Sequence, residues 1–469
     1  MFPRVQSWNK RTTAGIAIST IWFVGVLLIG EQGDLTPEAS RMLAIFGAAV
    51  VLWVTEAIPL AATSIGVILA EILLISDEAL ITTASDGYEP PPFASIYASL
   101  ANPTLMLFLG GFVLAEAASK YHLDRNLASV LLRPFGTSPR FVIAGMMSIT
   151  AVMSMFMSNT ATTAAMMAVV LPVAAGLTDT GTKAALILAV PVAANVGGIG
   201  TPIGSPPNAI ALGRLSEEGI DVDFLKWMVL AVPLALVVLV AAWFILTRKV
   251  AKDAPAVRIE VGGAFETSTA AVILYVTFAG TVVIWLTESV HGIPSSITGF
   301  LPVVILLSTQ VFSTDDLRRL NWHVLWLVGG GIALGSGVGT TGLDEWFVGL
   351  FDWSSFSTLL LTAILAVLAI SLSTVISNSA TANLLVPIGV SLALSGVADL
   401  DPVLAGVVIA LACSLAMALP VSTPPNAVAY ASGYINTRDL ATVGLAVGAI
   451  GIVLLLFVAA PLWEATGLL

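Results

Sequence analysis

The side chains best suited to chemistry lie in two matching stretches: Met153-Ser-Met-Phe-Met-Ser-Asn-Thr-Ala-Thr, residues 153–162, and Leu372-Ser-Thr-Val-Ile-Ser-Asn-Ser-Ala-Thr, residues 372–381. Serine recurs as Ser154/Ser373 and Ser158/Ser377, and asparagine as Asn159/Asn378. Downstream, Gly204-Ser-Pro-Pro-Asn-Ala is answered by Ser422-Thr-Pro-Pro-Asn-Ala. These residues offer short hydroxyls, amides and exposed backbone. A helix broken there presents free N–H groups at one start and free C=O groups at another end. The N–H ends favour anions and the C=O ends favour cations. Hydroxyl and carbonyl oxygens suit a hard cation, so one broken site per half suits a cation, with an anion held between the two.

The elements that must carry these stretches are apolar helices. The chain has 469 residues, 57% hydrophobic and 10% charged, against about 25% charged in a soluble protein. Many stretches approach the roughly 20 residues that span a bilayer, which gives an all-α polytopic membrane protein. Polar, helix-breaking sequence survives at membrane depth only when buried in protein or lining a cavity. Paired interruptions in corresponding halves point to a transporter's binding site. The net charge of −11 speaks against a nucleic-acid partner. Cys413 is the single cysteine, which excludes an intrachain disulfide or a cysteine metal site. No glycosylation sequon occurs. Residues 13–30 read as a retained first span, since no small-residue cleavage site follows.

Charges orient the spans. Arg4, Lys10 and Arg11 precede the first span and set the N-terminus in the cytoplasm. Glu31, Asp34 and Glu38 then lie outside. Residues 41–76 form two short helices broken at Glu56-Ala-Ile-Pro59, followed by an outer loop carrying Asp77, Glu78, Asp86, Glu89 and the run Pro90–Pro92. A span over 103–119 leads in to Lys120, Arg125, Arg133 and Arg140. A re-entrant hairpin over 140–175 enters and leaves on the inside. A span over 184–213, broken near Gly197–Pro207, leads out, and 227–247 returns to Arg248, Lys249, Lys252 and Arg258. In the second half, 269–288, 294–312 and 323–342 cross. A second hairpin over 355–393 enters and leaves on the outside. A broken span over 403–433 and a last span over 440–462 leave the C-terminus outside. Of 18 Lys and Arg, only Arg41, Arg214 and Lys226 fall outside. This is eleven spans and two opposed hairpins in an inverted repeat: residues 1–37 as N-terminal segment and first span, 38–260 as the first repeat, 261–469 as the second.

Absences narrow the chemistry. No Lys or Arg falls within the spans. The buried acids expected are Glu56, Glu71 and Glu116, while His122, His291 and His323 sit at span edges. A proton pump would carry an intramembrane Asp/Glu/His relay; neutral ligands without one favour Na+ as the driving ion. Serine and threonine also pack membrane helices, but two copies each followed by a Pro-Pro-Asn-Ala break outweigh that reading. Glu56 is assigned to capping the break before Pro59. Gly110-Gly111 and Gly329-Gly330-Gly331 are assigned to close helix packing. Gly335-Ser-Gly337 lacks the spacing and the histidine of a hydrolase elbow, so no enzyme activity and no organic cofactor are expected. A channel would leave the opposed hairpins without a purpose.

At these residues the chain resembles the divalent anion/sodium symporter family, which includes Na+-coupled dicarboxylate transporters. The matches are Trp53-Val-Thr-Glu-Ala-Ile-Pro59, Leu109-Gly-Gly-Phe-Val-Leu-Ala115, both Ser-Asn motifs and both Pro-Pro-Asn-Ala segments. The resemblance implies a homodimer, a scaffold domain and a mobile transport domain with elevator-type access. It implies a first Na+ site at Ser154, Ser158, Asn159 and the backbone around Gly204, and a second at Ser373, Ile376 through its carbonyl, Asn378 and the backbone around Ser422. Substrate carboxylates would meet Asn159, Thr160, Ser205 and Pro206 on one side and Asn378, Ser379, Thr423 and Pro424 on the other. The implied function is symport of C4-dicarboxylates such as succinate, malate and fumarate across the plasma (inner) membrane. Sulfate or another divalent anion, or dicarboxylate exchange, are the alternatives. Ser379 replaces the family's usual threonine, keeping the hydroxyl and losing a methyl.

Overall fold

A computed structural model describes residues 10–30, 35–257, 265–350, 352–396 and 399–469, excluding the side chains of residues 124, 125, 128, 129, 133 and 354. The readings on Arg4, Glu31, Asp34 and Arg258, on the side chains of Arg125 and Arg133, and the repeat boundary at 260/261 lie outside the described residues.

All regular structure among the described residues is helical. The first half runs α1 (Lys10–Ile29), α2 (Pro37–Thr55), α3 (Leu60–Ile75), α4 (Pro103–Lys120), α5 (Pro139–Phe156), α6 (Asn159–Gly176), α7 (Thr180–Gly198), α8 (Pro206–Glu217) and α9 (Phe224–Thr247). The second runs α10 (Thr269–Leu286), α11 (Phe300–Ser308), α12 (Trp322–Thr340), α13 (Leu343–Gly349), α14 (Thr358–Val375), α15 (Asn378–Leu394), α16 (Pro402–Ser414), α17 (Pro424–Tyr430) and α18 (Thr437–Leu454). Helix starts are written in the sequence. Thr36, Asn102 and Asp401 cap helices whose first residue is proline, and Asp179, Asp223, Ser268 and Ser357 accept the N–H three residues on. Each cap satisfies an orphan donor and contributes about 1 kcal/mol.

Among the described residues eleven helices are long and apolar enough to cross a membrane. The number matches the expectation but the membership differs. Helices α5, α6 and α14, expected as hairpin arms, reach that length, whereas α3, the stretch Ser295–Ser308 and α16 are shorter. The last two are cut by close packing and by polar sequence. Gly299 interrupts residues 295–308 where its carbonyl lies against Gly110, and α16 stops at Ser414 before an unwound stretch. Apolar residues of α1 (Ile21, Leu28) and α9 (Leu236, Val237, Val240, Phe244) point outward. In hydrocarbon that exposure carries no hydrophobic penalty, because helices there are no more apolar than the lipid tails.

The acids need correcting. Glu56 is exposed and ends α2 in the left-handed region, at φ 46°, and Glu116 is half-buried. Of the three expected only Glu71 is buried, and Glu38 and Asp316 join it. Arg41 and Arg214, expected in outer loops, are buried as well. The glycine assignments hold. A Cβ on Gly330 would sit 2.6 Å from Ser64 Cα, and one on Gly111 2.8 Å from Ile203 Cδ1.

The two halves repeat one packing scheme. Helices α5 and α6 pack on α7 as α14 and α15 pack on α16. Across the halves, α8 packs on α15 and α16, and α17 packs on α6 and α7. A continuous apolar core joins them, including the stacked pair Phe224–Trp285 with ring centroids 5.0 Å apart.

Candidate functional site

The first break lies between α5 and α6. Met157 is extended and Ser158 caps α6, accepting the N–H of Ala161 at 3.2 Å. The Ser154 hydroxyl lies 2.5 Å from Asn159 Oδ1 and 2.8 Å from the Ala194 carbonyl. One hydroxyl proton serves one acceptor at a time, so oxygen lone pairs remain here for a further partner. The second break repeats this. Ile376 is extended and Ser377 caps α15 through the N–H of Ala380 at 3.2 Å. The Ser373 hydroxyl lies 2.7 Å from Asn378 Oδ1 and 3.0 Å from the Cys413 carbonyl.

Each break faces an unwound stretch held by the asparagine of Pro-Pro-Asn. Asn208 Nδ2 donates to the carbonyls of Gly198 at 3.0 Å and Thr201 at 2.8 Å. Asn426 Nδ2 donates to those of Met417 at 2.8 Å and Leu419 at 2.9 Å. Hydroxyls tie each stretch to its break: Thr201 donates to the Met155 carbonyl, and Ser422 to that of Thr374 at 2.6 Å. Glycine is required in the first half. A Cβ on Gly198 would lie 2.6 Å from Asn159 Nδ2, and one on Gly204 2.5 Å from the Gly198 carbonyl oxygen and 3.1 Å from that of Met155. Carbonyl oxygens thus converge on a space that a side chain would fill. Nearby, Asn208 Oδ1 is buried with no hydrogen-bond partner, an unused acceptor that a hard cation would satisfy.

The halves are joined by two matched contacts. Asn195 Nδ2 donates to Thr423 Oγ1 at 3.1 Å and to Asn426 Oδ1 at 3.3 Å. Ser205 and Ser414 pair their hydroxyls at 3.2 Å. Thus α7 and α16 each reach the start of the short helix in the opposite half. Ser154, Ser373, Gly204, Ser205, Ile376, Ser422 and Thr423 are buried. Ser158, Asn159, Pro206, Asn378 and Ser379 are half-buried, and Thr160 and Pro424 are exposed. A dry layer of oxygens therefore underlies an accessible layer of amides and helix starts. Among the described hydrogen bonds none joins Asn159 or Thr160 to Asn378 or Ser379. Sequence reasoning gave no role to Asn195, Ser414 and Asn426, through which the halves meet, nor to Thr201 and Asn208, which hold the first unwound stretch. Both asparagines of Pro-Pro-Asn stand in the repeated motif, whereas the only sequence signal for Asn195 and Ser414 is that they are polar residues in apolar helices. No group of three or more His, Cys, Asp or Glu able to hold a metal occurs among the described residues, so the site is one of neutral oxygens.

An all-helical, multi-pass membrane chain with a duplicated pair of helix breaks is a transporter and not an enzyme. The chain belongs to the family described as the sodium:sulfate symporter transmembrane region, whose model matches residues 10–469. It is 29% identical to the sodium-dependent dicarboxylate transporter SdcS of Staphylococcus saprophyticus over 97% of this chain and 92% of that one. It is also 29% identical to SdcS of Staphylococcus aureus, over 95% and 90%. An uncharacterized transporter of Schizosaccharomyces pombe is 30% identical over 96% of this chain and 52% of its own length. Among solved structures, the Alcanivorax borkumensis YdaH transporter superposes with a TM-score of 0.54 at 13% identity, covering 89% of this chain and 98% of that one. That likeness concerns the fold alone.

Proposed function

We propose that this protein couples Na+ to the inward movement of a divalent anion, with C4-dicarboxylates such as succinate, malate and fumarate as substrates. The observation that carries the reading is the duplicated bond of serine to asparagine across each helix break, Ser154–Asn159 and Ser373–Asn378. Family membership and the names of the SdcS relatives support it.

In this reading Ser154, Ser158, Asn159 and the backbone at Gly204 hold one Na+, and Ser373, Ile376, Asn378 and the backbone at Ser422 hold a second. The anion lies between, against Asn159, Thr160, Ser205 and Pro206 on one side and Asn378, Ser379, Thr423 and Pro424 on the other. A dianion removed from water is costly unless its charge is paired. The site has no cationic side chain, so the bound Na+ ions supply the compensating charge, and the helix starts at Asn159 and Asn378 add N–H donors, which the Pro-Pro starts at Pro206 and Pro424 lack. Substrate and ion are then stable only together, which is the physical basis of coupling.

The two breaks act as tips of re-entrant hairpins in an inverted repeat. Access alternates by elevator movement of a transport domain against a scaffold in a homodimer. The protein resides in the plasma (inner) membrane with its N-terminus cytoplasmic and its C-terminus outside. Uptake of labelled succinate, malate, fumarate and sulfate into proteoliposomes tests the reading. Uptake driven by a Na+ gradient and ranked with dicarboxylates first is expected. Equal succinate uptake with K+ replacing Na+ on both sides and no internal counter-substrate refutes symport, and a ranking led by sulfate refutes the substrate assignment.

A further inference from the structure

A second polar region lies away from the Ser-Asn breaks, at the far end of α8. This helix starts at Ser205 and Pro206 in the candidate site and ends at Arg214 and Glu217. Helix α12 is notched to receive its neighbours there. A Cβ on Gly335 would lie 2.9 Å from Arg214 Cδ, and one on Gly337 2.9 Å from Glu71 Oε1. The Gly335-Ser336-Gly337 sequence, which no enzyme reading absorbed, admits one charged side chain from each of two helices.

Two cavities meet at this point. The outer, about 470 Å³, is lined by Arg214, Glu217, Glu218, Asp344 and Glu345 among others. The inner, about 80 Å³, is lined by Glu71, Glu217, Ser99, Ser336 and Thr340. Glu217, Ser336 and Thr340 belong to both. Glu71 is 1% exposed, and its Oε1 has no hydrogen-bond partner. The Glu217 side chain is 18% exposed.

Of the cations nearby, Arg214 is shared between two glutamates and Arg41 is committed elsewhere. Arg214 pairs with Glu218 at 2.5 Å through Nη2 and approaches Glu217 at 3.6 Å through Nη1. Arg41 on α2 donates to the Thr83 carbonyl at 2.6 Å, and Glu38 binds Ser85. Asp77 and Glu78 beyond α3 are exposed. The charged group that acts on Glu71 is Glu217. Two carboxyls thus line one small space with hydroxyls around it, and Arg214, which meets Glu217, lines the outer cavity and not this one. No described hydrogen bond links one carboxyl to the other, so the pair is not arranged to share a proton directly.

We propose that the inner cavity is a Na+ site formed by Glu71 and Glu217 with the hydroxyls of Ser99, Ser336 and Thr340, distinct from the two Ser-Asn sites. Carboxylate and hydroxyl oxygens are the ligands a hard cation takes. The volume admits an ion with a water or two, since one water occupies roughly 30 Å³ of liquid. The outer cavity holds four carboxylates against one arginine and concentrates cations at its mouth. Loss of hydration pushes Glu217 up to about 8, with Arg214 opposing the rise and Glu218 adding to it. Protons therefore compete with Na+ below that pH. Because α8 connects this cavity to the candidate anion site, occupancy here bears on the same helix that presents Ser205.

The test measures ion binding and does not depend on which anion is carried. Purified full-length protein without substrate is unfolded thermally at increasing NaCl, with choline chloride holding ionic strength. The Asn159→Ala/Asn378→Ala protein removes the motif sites. A saturable Na+-dependent rise in its unfolding temperature is expected, weaker at pH 6 than at pH 9. Adding Glu71→Gln abolishes that rise, and so does adding Glu217→Gln, whose side chain lies at the cavity edge and serves if the first variant does not fold. No rise in the double variant, a rise that survives Glu217→Gln, or a response to pH with Na+ and choline equivalent overturns the proposal. Any of these results leaves the transport reading intact, since that stands on uptake.

Discussion

Gly204→Ala isolates the first Na+ site. The added Cβ would meet the Gly198 carbonyl oxygen at 2.5 Å, with Gly198 C and the Met155 carbonyl oxygen both at 3.1 Å. All three are backbone atoms, and ordinary contact begins at 3.4 Å. The Gly198 oxygen must therefore retreat by about 0.9 Å and the other two by about 0.3 Å, an overpacking that costs on the order of 1–3 kcal/mol. The oxygens that would retreat are those proposed to face Na+, so the strain falls on the ion-bound state. That energy corresponds to roughly 5- to 150-fold weaker Na+ half-saturation. The second half supplies the control. Ser422 already carries a Cβ there, so Ser422→Ala adds no atom and removes two bonds of its hydroxyl, the one it donates to the Thr374 carbonyl and the one it accepts from the Leu419 N–H at 3.1 Å. The expected loss is about 0.5–1.5 kcal/mol for each bond, or roughly 2- to 10-fold apiece. Succinate uptake against external Na+ in proteoliposomes reads both. A Gly204→Ala protein with wild-type Na+ half-saturation, or one weaker than wild type by no more than Ser422→Ala, would refute the assignment of cation-facing carbonyls to Gly204.

Three further outcomes are expected. Asn159→Ala and Asn378→Ala each nearly abolish uptake while the protein still folds, because removing the half-buried amide leaves the ion and the anion it would bridge unsatisfied at roughly 1–3 kcal/mol or more; near-normal uptake at ordinary expression removes that residue from the site. Ser379→Thr keeps activity and alters the ranking of anions, whereas Ser379→Ala weakens all of them, each within the ~1–3 kcal/mol of a one-methylene pocket change; identical rankings and affinities show that the position does not face the substrate. Burial opposes ionisation of Asp316, but hydrogen bonds from Lys120, at 2.6 Å, and from Ser313 outweigh it and hold its carboxyl at about 2. The folded value lies below the unfolded one, so this stabilisation is present above about pH 4 and is lost as pH falls toward 2. Thermal unfolding of Asp316→Asn should depend less on pH than wild type across that window, and an unchanged acid limb would discount the pair.

Much of this was legible because polar residues are conspicuous in an apolar chain. The breaks at 157–158 and 376–377, the unwound stretches before Pro206 and Pro424, and the bend at 56–59 all stand where caps, prolines and glycines demand them. What escaped was decided by contacts distant in sequence. Asn195 and Ser414 resemble ordinary packing residues until the fold brings Thr423 and Ser205 beside them. The split of residues 295–308 depends on the Gly299 carbonyl meeting Gly110. Arg214 counted as an outer-loop charge because nothing local announced that Gly335 would make room for it. Glu56 was assigned by its nearness to Pro59, whereas the α2 backbone ends there in the left-handed region with the side chain in the open.

The crossed contacts between the halves bear on how such a chain can change over generations. In a dimer of identical subunits a two-fold contact is one choice made twice, since residue i meets j and j meets i. A single chain carrying both copies is free of that constraint. Here one crossing is amide to hydroxyl, Asn195 to Thr423, and the other hydroxyl to hydroxyl, Ser205 to Ser414. The first asparagine also engages Asn426, leaving Asn208 in the other half with an unclaimed oxygen. Carrying both halves in one chain thus lets the two faces differ in their bonds and in their unclaimed acceptors, each substitution acting on one side alone.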